Sequence, residues 1–275
     1  MPRNNKDRMG VQDENPPLVA ETNSILNFVV PTEFVELPTR GLFYPPEHPL
    51  HNVESVEIKH MTAKETDILS SKTLLKKGVA IDRMLQSIIV DSSIQVDDLY
   101  TGDKNALIIA ARTSGFGEDY NASITCTNCS TVFEQEFNLT EVSVKQVEDD
   151  IKFTDTGTFF IELPQTKVNV ECKLLTTEDE KRLLALLEKR QKLKLPESSL
   201  TDQYKSFIVS LNGVTERSTV EEFIDLMPAR DANYLRKEYD RARPDVDLTH
   251  VCDCDNCGAT VQVNIPFTAN FFWPQ

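Results

Sequence analysis

Apolar positions change their spacing along the chain, and the changes divide it. From Leu26 to Pro49 they run in extended stretches broken by prolines, Phe28-Val29-Val30-Pro31 and then Phe34-Val35-Glu36-Leu37-Pro38. In the phrase Leu37-Pro38-Thr39-Arg40-Gly41-Leu42-Phe43-Tyr44-Pro45 the Pro-x-x-Gly step predicts a turn. Val53, Val56 and Ile58 predict a short strand. The period then lengthens to that of a helix. Thr62-Ala63-Lys64-Glu65 is a capping-box sequence, and the helix it opens runs through Ile68, Leu69, Leu74 and Leu75 to Gly78. A second helix fits Ile81 to Val90, with Ile81, Met84, Leu85, Ile88 and Ile89 on one face. Asp103 is expected to cap a third, Ala106 to Thr113, stopped by Gly115 and Gly117.

From Tyr120 the period falls to two. Ala122, Ile124 and Cys126 alternate, and Val132, Phe133 and Phe137 follow. Phe159–Leu163 and Val168–Leu174 predict a hairpin. Thr177-Glu178-Asp179-Glu180 reads as a second capping box, opening an amphipathic helix with Leu183, Leu184, Leu186 and Leu187 that Pro196 blocks. Further helices are expected near Asp202–Leu211, after a Ser218-Thr219-Val220-Glu221 cap, and from Ala229 to Arg243 before Pro244; strand returns at Val251. The fold class is therefore α+β. The expected units are a disordered arm at 1–24, an extended Pro-rich arm and strand at 25–59, and a helical unit at 60–118. A β unit at 119–140 and 245–270 is interrupted by an inserted hairpin plus helices at 141–244.

Composition narrows the function classes. The 275 residues are 40% hydrophobic and 27% charged, ordinary globular values. Net charge is −15, which repels phosphate backbones, so nucleic acid is not an expected partner. One compact basic stretch, Lys189-Arg190-Gln191-Lys192-Leu193-Lys194, closes a predicted helix, where cations suit the dipole. No segment approaches the roughly 20 apolar residues of a membrane span, and Met1–Asn27 has no apolar h-region, so a cytosolic protein is expected.

The six cysteines are too sparse for a disulfide scaffold, and in a reducing compartment paired cysteines read as metal or redox sites. Cys126-Thr127-Asn128-Cys129-Ser130 and Cys254-Asp255-Asn256-Cys257-Gly258 are both C-x-x-C turns between strand-like sequences. Each is a zinc knuckle, and two knuckles supply four thiolates for one tetrahedral structural zinc. The 124 residues from Ser130 to Asp253 separate them, so the metal would close a long loop. The alternative is a thiol redox pair, which normally heads a helix rather than a strand. Cys252 is a spare thiol that could exchange as a ligand or sit buried beside the site; Cys172 is expected in the core. The four histidines His48, His51, His60 and His250 form no metalloprotease or nucleophile motif, and no phosphate-binding loop is present, so no catalytic residues are expected.

Glu36–Pro45, Ile81-Asp82-Arg83-Met84-Leu85-Gln86-Ser87, Gly102-Asp103-Lys104-Asn105-Ala106-Leu107 and the Gly115-Phe116-Gly117…Tyr120…Cys126-x-x-Cys129 run together resemble the T4-type bacteriophage baseplate protein family over roughly residues 30–265. Thr39 stands where the family pattern often has Ser. The resemblance implies a non-enzymatic structural or assembly protein of a contractile tail baseplate hub. Its implied partners are hub and tail proteins. It would work in the host cytoplasm during assembly and possibly reside in the virion tail. Leu37, Gly41, Phe43 and Tyr44 in the arm and Phe271, Phe272 and Trp273 in the tail are the expected partner-binding residues, since aromatics cluster at interface hot spots; the alternative is that they fill the chain's own core. The competing function is a zinc-ribbon nucleic-acid or transcription factor, against which the acidity argues.

Overall fold

The polar-flanked stretch Thr32–Glu36 forms β1 and pairs antiparallel with β2 at Ser55–Lys59. The computed structural model describes residues 30–145, 147, 151–193, 199–265 and 269–272. The expected disordered arm at 1–24, the residues from Leu26 to Val29, Pro196, Lys194 and Trp273 lie outside these. The remaining elements follow in order: α1 Ala63–Ser70, α2 Lys72–Lys76, α3 Ala80–Ile88, α4 Thr101–Phe116, β3 Asp119–Thr125, β4 Val132–Asn138, β5 Ser143–Lys145, β6 Thr158–Glu162 and β7 Asn169–Lys173. Then come α5 Thr177–Lys192, α6 Ser199–Phe207, β8 Ile208–Leu211, α7 Arg217–Leu226, α8 Ala229–Ala242, β9 Asp245–Asp247, β10 Thr249–Asp253 and β11 Thr260–Asn264. The class is mixed α+β, and the described residues form four two-stranded sheets, β1–β2, β3–β4, β5–β9 and β10–β11, and one three-stranded sheet, β6–β7–β8.

Local chemistry explains where the elements begin. The Thr62 hydroxyl and the Glu65 carboxylate cap α1 reciprocally, as the sequence signature requires. The helix does not run on to Leu75: Ser71 takes an extended ψ of 106°, splitting the stretch into α1 and α2 before Gly78 turns at φ +68°. The second capping box is real but shifted by one. Thr176 is the cap and Asp179 its reciprocal partner, while the Thr177 hydroxyl donates to the Leu99 carbonyl at 3.2 Å. Helix α7 likewise begins earlier than expected, with Glu216 at its cap and the Ser218 and Thr219 hydroxyls donating to the Glu216 carboxylate. The expected helix Asp202–Leu211 is overturned in its second half. Ile208–Leu211 is a strand completing the β6–β7 sheet, because it pairs with Val170 and Cys172 and then turns at Asn212-Gly213, both at positive φ.

Asp103 does not cap a helix at Ala106. Helix α4 starts earlier, at Thr101, and the carboxylate points away into the arm. It accepts from the Thr39 amide at 3.0 Å, the Thr39 hydroxyl at 2.6 Å and the Tyr44 hydroxyl at 2.7 Å. Gly41, at φ +70°, brings the arm back so closely that a Cβ there would run into the backbone of Leu50 and Val53.

The buried apolar residues form two clusters. The first joins Leu37, Tyr44 and Leu50 of the arm, α1, α3 and α4, and both hairpins β3–β4 and β10–β11, with Phe271 and Phe272. The second gathers β6–β8, α6, α7 and α8, with Phe159, Phe207, Leu235 and Tyr239 at its centre. Phe43 belongs to the second cluster and Tyr44 to the first, so adjacent arm residues enter different cores. Strands β5 and β9 pair, and the chain therefore leaves for the second cluster and returns from it at one place. Cys172 is fully buried in the second core, as its position on the apolar strand face predicts.

Candidate metal centre

Two hairpins of near-identical design meet at their tips. In the first, β3 and β4 pair from Asp119↔Asn138 to Thr125↔Val132, and the turn between them is Cys126–Thr131. In the second, β10 and β11 pair from Thr249↔Asn264 to Asp253↔Thr260, around Cys254–Ala259. The Ser130 amide donates to the Cys126 carbonyl at 2.9 Å, and the Gly258 amide to the Cys254 carbonyl at 2.8 Å. The small residue after each second cysteine sits in the left-handed region, Ser130 at φ 59° and Gly258 at φ 65°. A larger side chain would resist the turn that aims both thiols forward.

The four sulfurs of Cys126, Cys129, Cys254 and Cys257 lie within 4.8 Å of one another. Cys126 Sγ is 3.8 Å from Cys257 Sγ, and Cys129 Sγ is 3.7 Å from Cys254 Sγ. A disulfide needs about 2.05 Å, so these are not bonded pairs. A tetrahedron with zinc–sulfur distances near 2.3 Å has edges of about 3.8 Å, so the donor set fits a closed four-thiolate site. Cys126 and Cys254 are buried, Cys129 is half-buried and Cys257 is exposed, which leaves one side of the cluster at the surface.

The surroundings favour thiolates at Cys129 and Cys257, whereas at Cys254 the backbone N–H groups of Cys257 and Asn256 are outweighed by burial and the neighbouring Cys126 and Cys257 sulfurs, which push the thiol up to about 11. The Thr131 hydroxyl and amide push the Cys129 thiol down to about 6, with the Asn256 amide adding to the effect. The Ala259 backbone N–H and the Asn128 side chain hold Cys257 below the usual thiol range. Two residues missed in the sequence reading are responsible for a reciprocal contact. Asn128 Nδ2 donates to Cys257 Sγ at 3.6 Å, and Asn256 Nδ2 donates to Cys129 Sγ at 3.7 Å, each across to the other knuckle. Their signal was present, since both turns read C-x-N-C. Cys252 is not in the cluster. It is buried on β10 opposite Val261, and burial raises its thiol. His250 also lies apart, edge-on to the Phe137 ring at 5.1 Å.

The described contact candidates are placed inside the chain. Leu37, Phe43 and Tyr44 are buried, and so is Gly41. Phe271 and Phe272 are buried too, Phe271 edge-on to Tyr120 at 4.9 Å. The Arg112 guanidinium fixes them by donating to the Phe271 carbonyl at 2.6 Å, and it also donates to the carbonyls of Asp119 at 2.8 Å and Gly117. Burial lowers the Arg112 guanidinium from its ordinary value. Among the arm residues Leu42 is 61% exposed and Phe34 71%. No described helix is long and apolar enough to cross a membrane.

No curated protein and no solved structure matches the chain. A family model described as T4 bacteriophage base plate protein matches residues 46–273, beginning one residue past the Leu37–Pro45 phrase and spanning both cysteine pairs. With most of its length matched, the chain belongs to the T4 bacteriophage base plate protein family.

Proposed function

We propose that the chain is a non-enzymatic part of the base plate hub, or a factor that assembles it, clasped by one structural zinc ion on Cys126, Cys129, Cys254 and Cys257. The observation that carries the zinc reading is the sulfur spacing across the two knuckles, 3.7 and 3.8 Å, which suits a tetrahedral site. Zinc held by four thiolates keeps no position for water or substrate, so it supplies folding free energy and no catalysis. The family supports the rest, since a base plate component works through surfaces shared with other tail proteins. The arm Leu37–Tyr44 and the tail from Phe271 to Trp273 are the proposed contact segments. Their buried anchors would hold exposed Leu42 and Phe34 out toward hub and tail proteins. Assembly would take place in the host cytoplasm.

Co-expression with hub and tail proteins, affinity capture and elemental analysis test both halves together. One zinc per chain and co-purified hub protein are expected. A metal-free monomer that ignores every hub component would sink the reading. Mass spectrometry of mature tails then separates a resident part from a transient assembly factor.

A further inference from the structure

The two knuckles share a residue that four thiols alone do not require. Cys126-Thr127-Asn128-Cys129-Ser130 and Cys254-Asp255-Asn256-Cys257-Gly258 differ at their second and fifth positions, yet both have asparagine third. An asparagine in a tight turn ordinarily bonds its own nearby backbone. Here each side chain crosses to the opposite knuckle. Asn128 Nδ2 donates to Cys257 Sγ at 3.6 Å, and Asn256 Nδ2 donates to Cys129 Sγ at 3.7 Å and to Thr131 Oγ1 at 3.0 Å. The Thr131 hydroxyl itself donates to Cys129, so its oxygen accepts from Asn256 and turns the amide nitrogen toward the sulfur.

The main chain of the same two residues completes the pattern. The Asn128 backbone N–H donates to Cys126 Sγ at 3.4 Å, and the Asn256 backbone N–H donates to the Cys254 sulfur. Cys126 and Cys257 form one cross-knuckle pair of sulfurs at 3.8 Å, and Cys129 and Cys254 form the other at 3.7 Å. Each asparagine therefore holds both sulfurs of one pair, its backbone taking the near one and its side chain the far one. The side chains go to the sulfurs nearer solvent, since Cys129 is half-buried and Cys257 exposed, while Cys126 and Cys254 are buried. Four thiolates around one divalent ion keep excess negative charge, here in a chain of net charge −15 and beside Asp253 and Asp255. N–H donors spread that charge, and bonds to a charged acceptor are the stronger kind.

We propose, on the zinc reading above, that Asn128 and Asn256 are positioning residues of the metal centre: each fastens one knuckle to the other and shields the outer sulfur, so that the ion leaves slowly. Hydrogen-bond partners of metal ligands commonly account for about 10- to 100-fold in metal affinity. Their loss is therefore read in how long the ion stays and in the electronic state of the sulfurs, with the stoichiometry unchanged.

The test uses the full chain loaded with zinc and follows release of the ion to an excess of a chromophoric chelator. Asn128→Leu and Asn256→Leu keep a branched side chain and remove its donors. Each should bind one zinc and keep the far-ultraviolet circular dichroism of the parent, yet release the ion about tenfold faster or more. Thr127→Leu, at an exposed position of the same turn, should release it like the parent. The second readout is the chain loaded with cobalt(II), which takes the same kind of site. Its sulfur-to-metal charge-transfer band should move to longer wavelength in both asparagine variants, where a thiolate loses a donor, and stay in place in Thr127→Leu. Should a leucine variant fail to fold, Asn128→Asp and Asn256→Asp exchange donor for acceptor at constant shape and should show both effects. Release and band at parent values overturn the proposal and leave the zinc reading standing. Faster release with an unmoved band would mean that the asparagines only shape their own turns, which also overturns it. A parent that takes up neither metal overturns the proposal and the zinc reading together.

Discussion

Asp103 is fully buried, and its surroundings set a pH dependence that can be worked out by sign. Burial pushes its carboxyl up to about 6, against the opposing hydrogen bonds from Thr39 and Tyr44. The folded state therefore holds the proton more tightly than the unfolded chain. This contribution to stability is fully present below about pH 4 and is lost as pH rises through about 6. Glu65 and Asp82 tilt the other way. Burial raises both, but hydrogen bonds from Thr62 and the Lys104 and Lys181 ammonium groups overcome it and hold them below the usual carboxylate range. The informative quantity is thus the difference between the parent and Asp103→Asn, which keeps an acceptor for the Thr39 amide and cannot ionise. Between pH 4 and 7 that difference should move by about 2 kcal/mol in favour of the variant, read from urea unfolding at each pH. A difference that stays flat would mean that the carboxylate is ionised without penalty in the fold. Nothing in the sequence announced this role. An Asp near a helix start reads as a cap, and only the return of the arm, 64 residues earlier in the chain, shows that the carboxylate has a better partner.

At the scale of elements, α4 is the spine on which distant segments converge. Its first turn holds the arm through Asp103, and Gly102 lets the backbone of Pro244 and Asp245 pass against it. Asn105 Nδ2 donates to the Asp245 carboxylate at 2.9 Å, and Arg112 at the other end holds the C-terminal turn Ala269–Phe272. Losing Arg112 takes a donor from three carbonyls; those of Gly117 and Asp119 are on exposed residues where water can replace it, while the bond to Phe271 is buried and its loss costs about 1 to 3 kcal/mol. Arg112→Met should therefore lower stability by about 2 kcal/mol, with amides of residues 269–272 exchanging before those of α4. Arg112→Lys should recover less than half, since one ammonium cannot reproduce a planar fork. Unchanged protection at 269–272 would refute this division of labour. The elements themselves were largely legible because their signals are local. The capping boxes at Thr62 and near Thr176, the period-two run from Tyr120 and the Pro244 stop all act within a turn or two. The errors fell where a tertiary partner decides. Ile208–Leu211 became a strand because β7 offered an unpaired edge.

At the scale of the whole molecule, the cysteine pairs were the most legible long-range feature, since two C-x-x-C turns 124 residues apart can share one ion only if the chain returns to its starting point. Other interactions also bring it back: β5 pairs with β9, and the first core contains both knuckle hairpins. A zinc staple at their tips would add the closure entropy of a long loop, about 5 kcal/mol in the chain-entropy picture. Its removal should then be felt unevenly. The β6–β7–β8 sheet is packed into the second core, which contains none of the described knuckle residues, so its amides should keep their protection under chelation. Strands β10 and β11 form a two-stranded sheet, a form marginal in water without tertiary support, and they should lose protection first, followed by β3–β4. Hydrogen exchange with and without chelator reads this directly, and Cys254→Ser should reproduce the chelated pattern without further change on adding chelator. Restored zinc should return the parent, and not the variant, to full protection. Loss of protection spread evenly over both cores would mean that the ion holds the whole fold as one cooperative unit. No loss at β10–β11 would mean that the first core alone fastens the knuckles and the four sulfurs carry no staple.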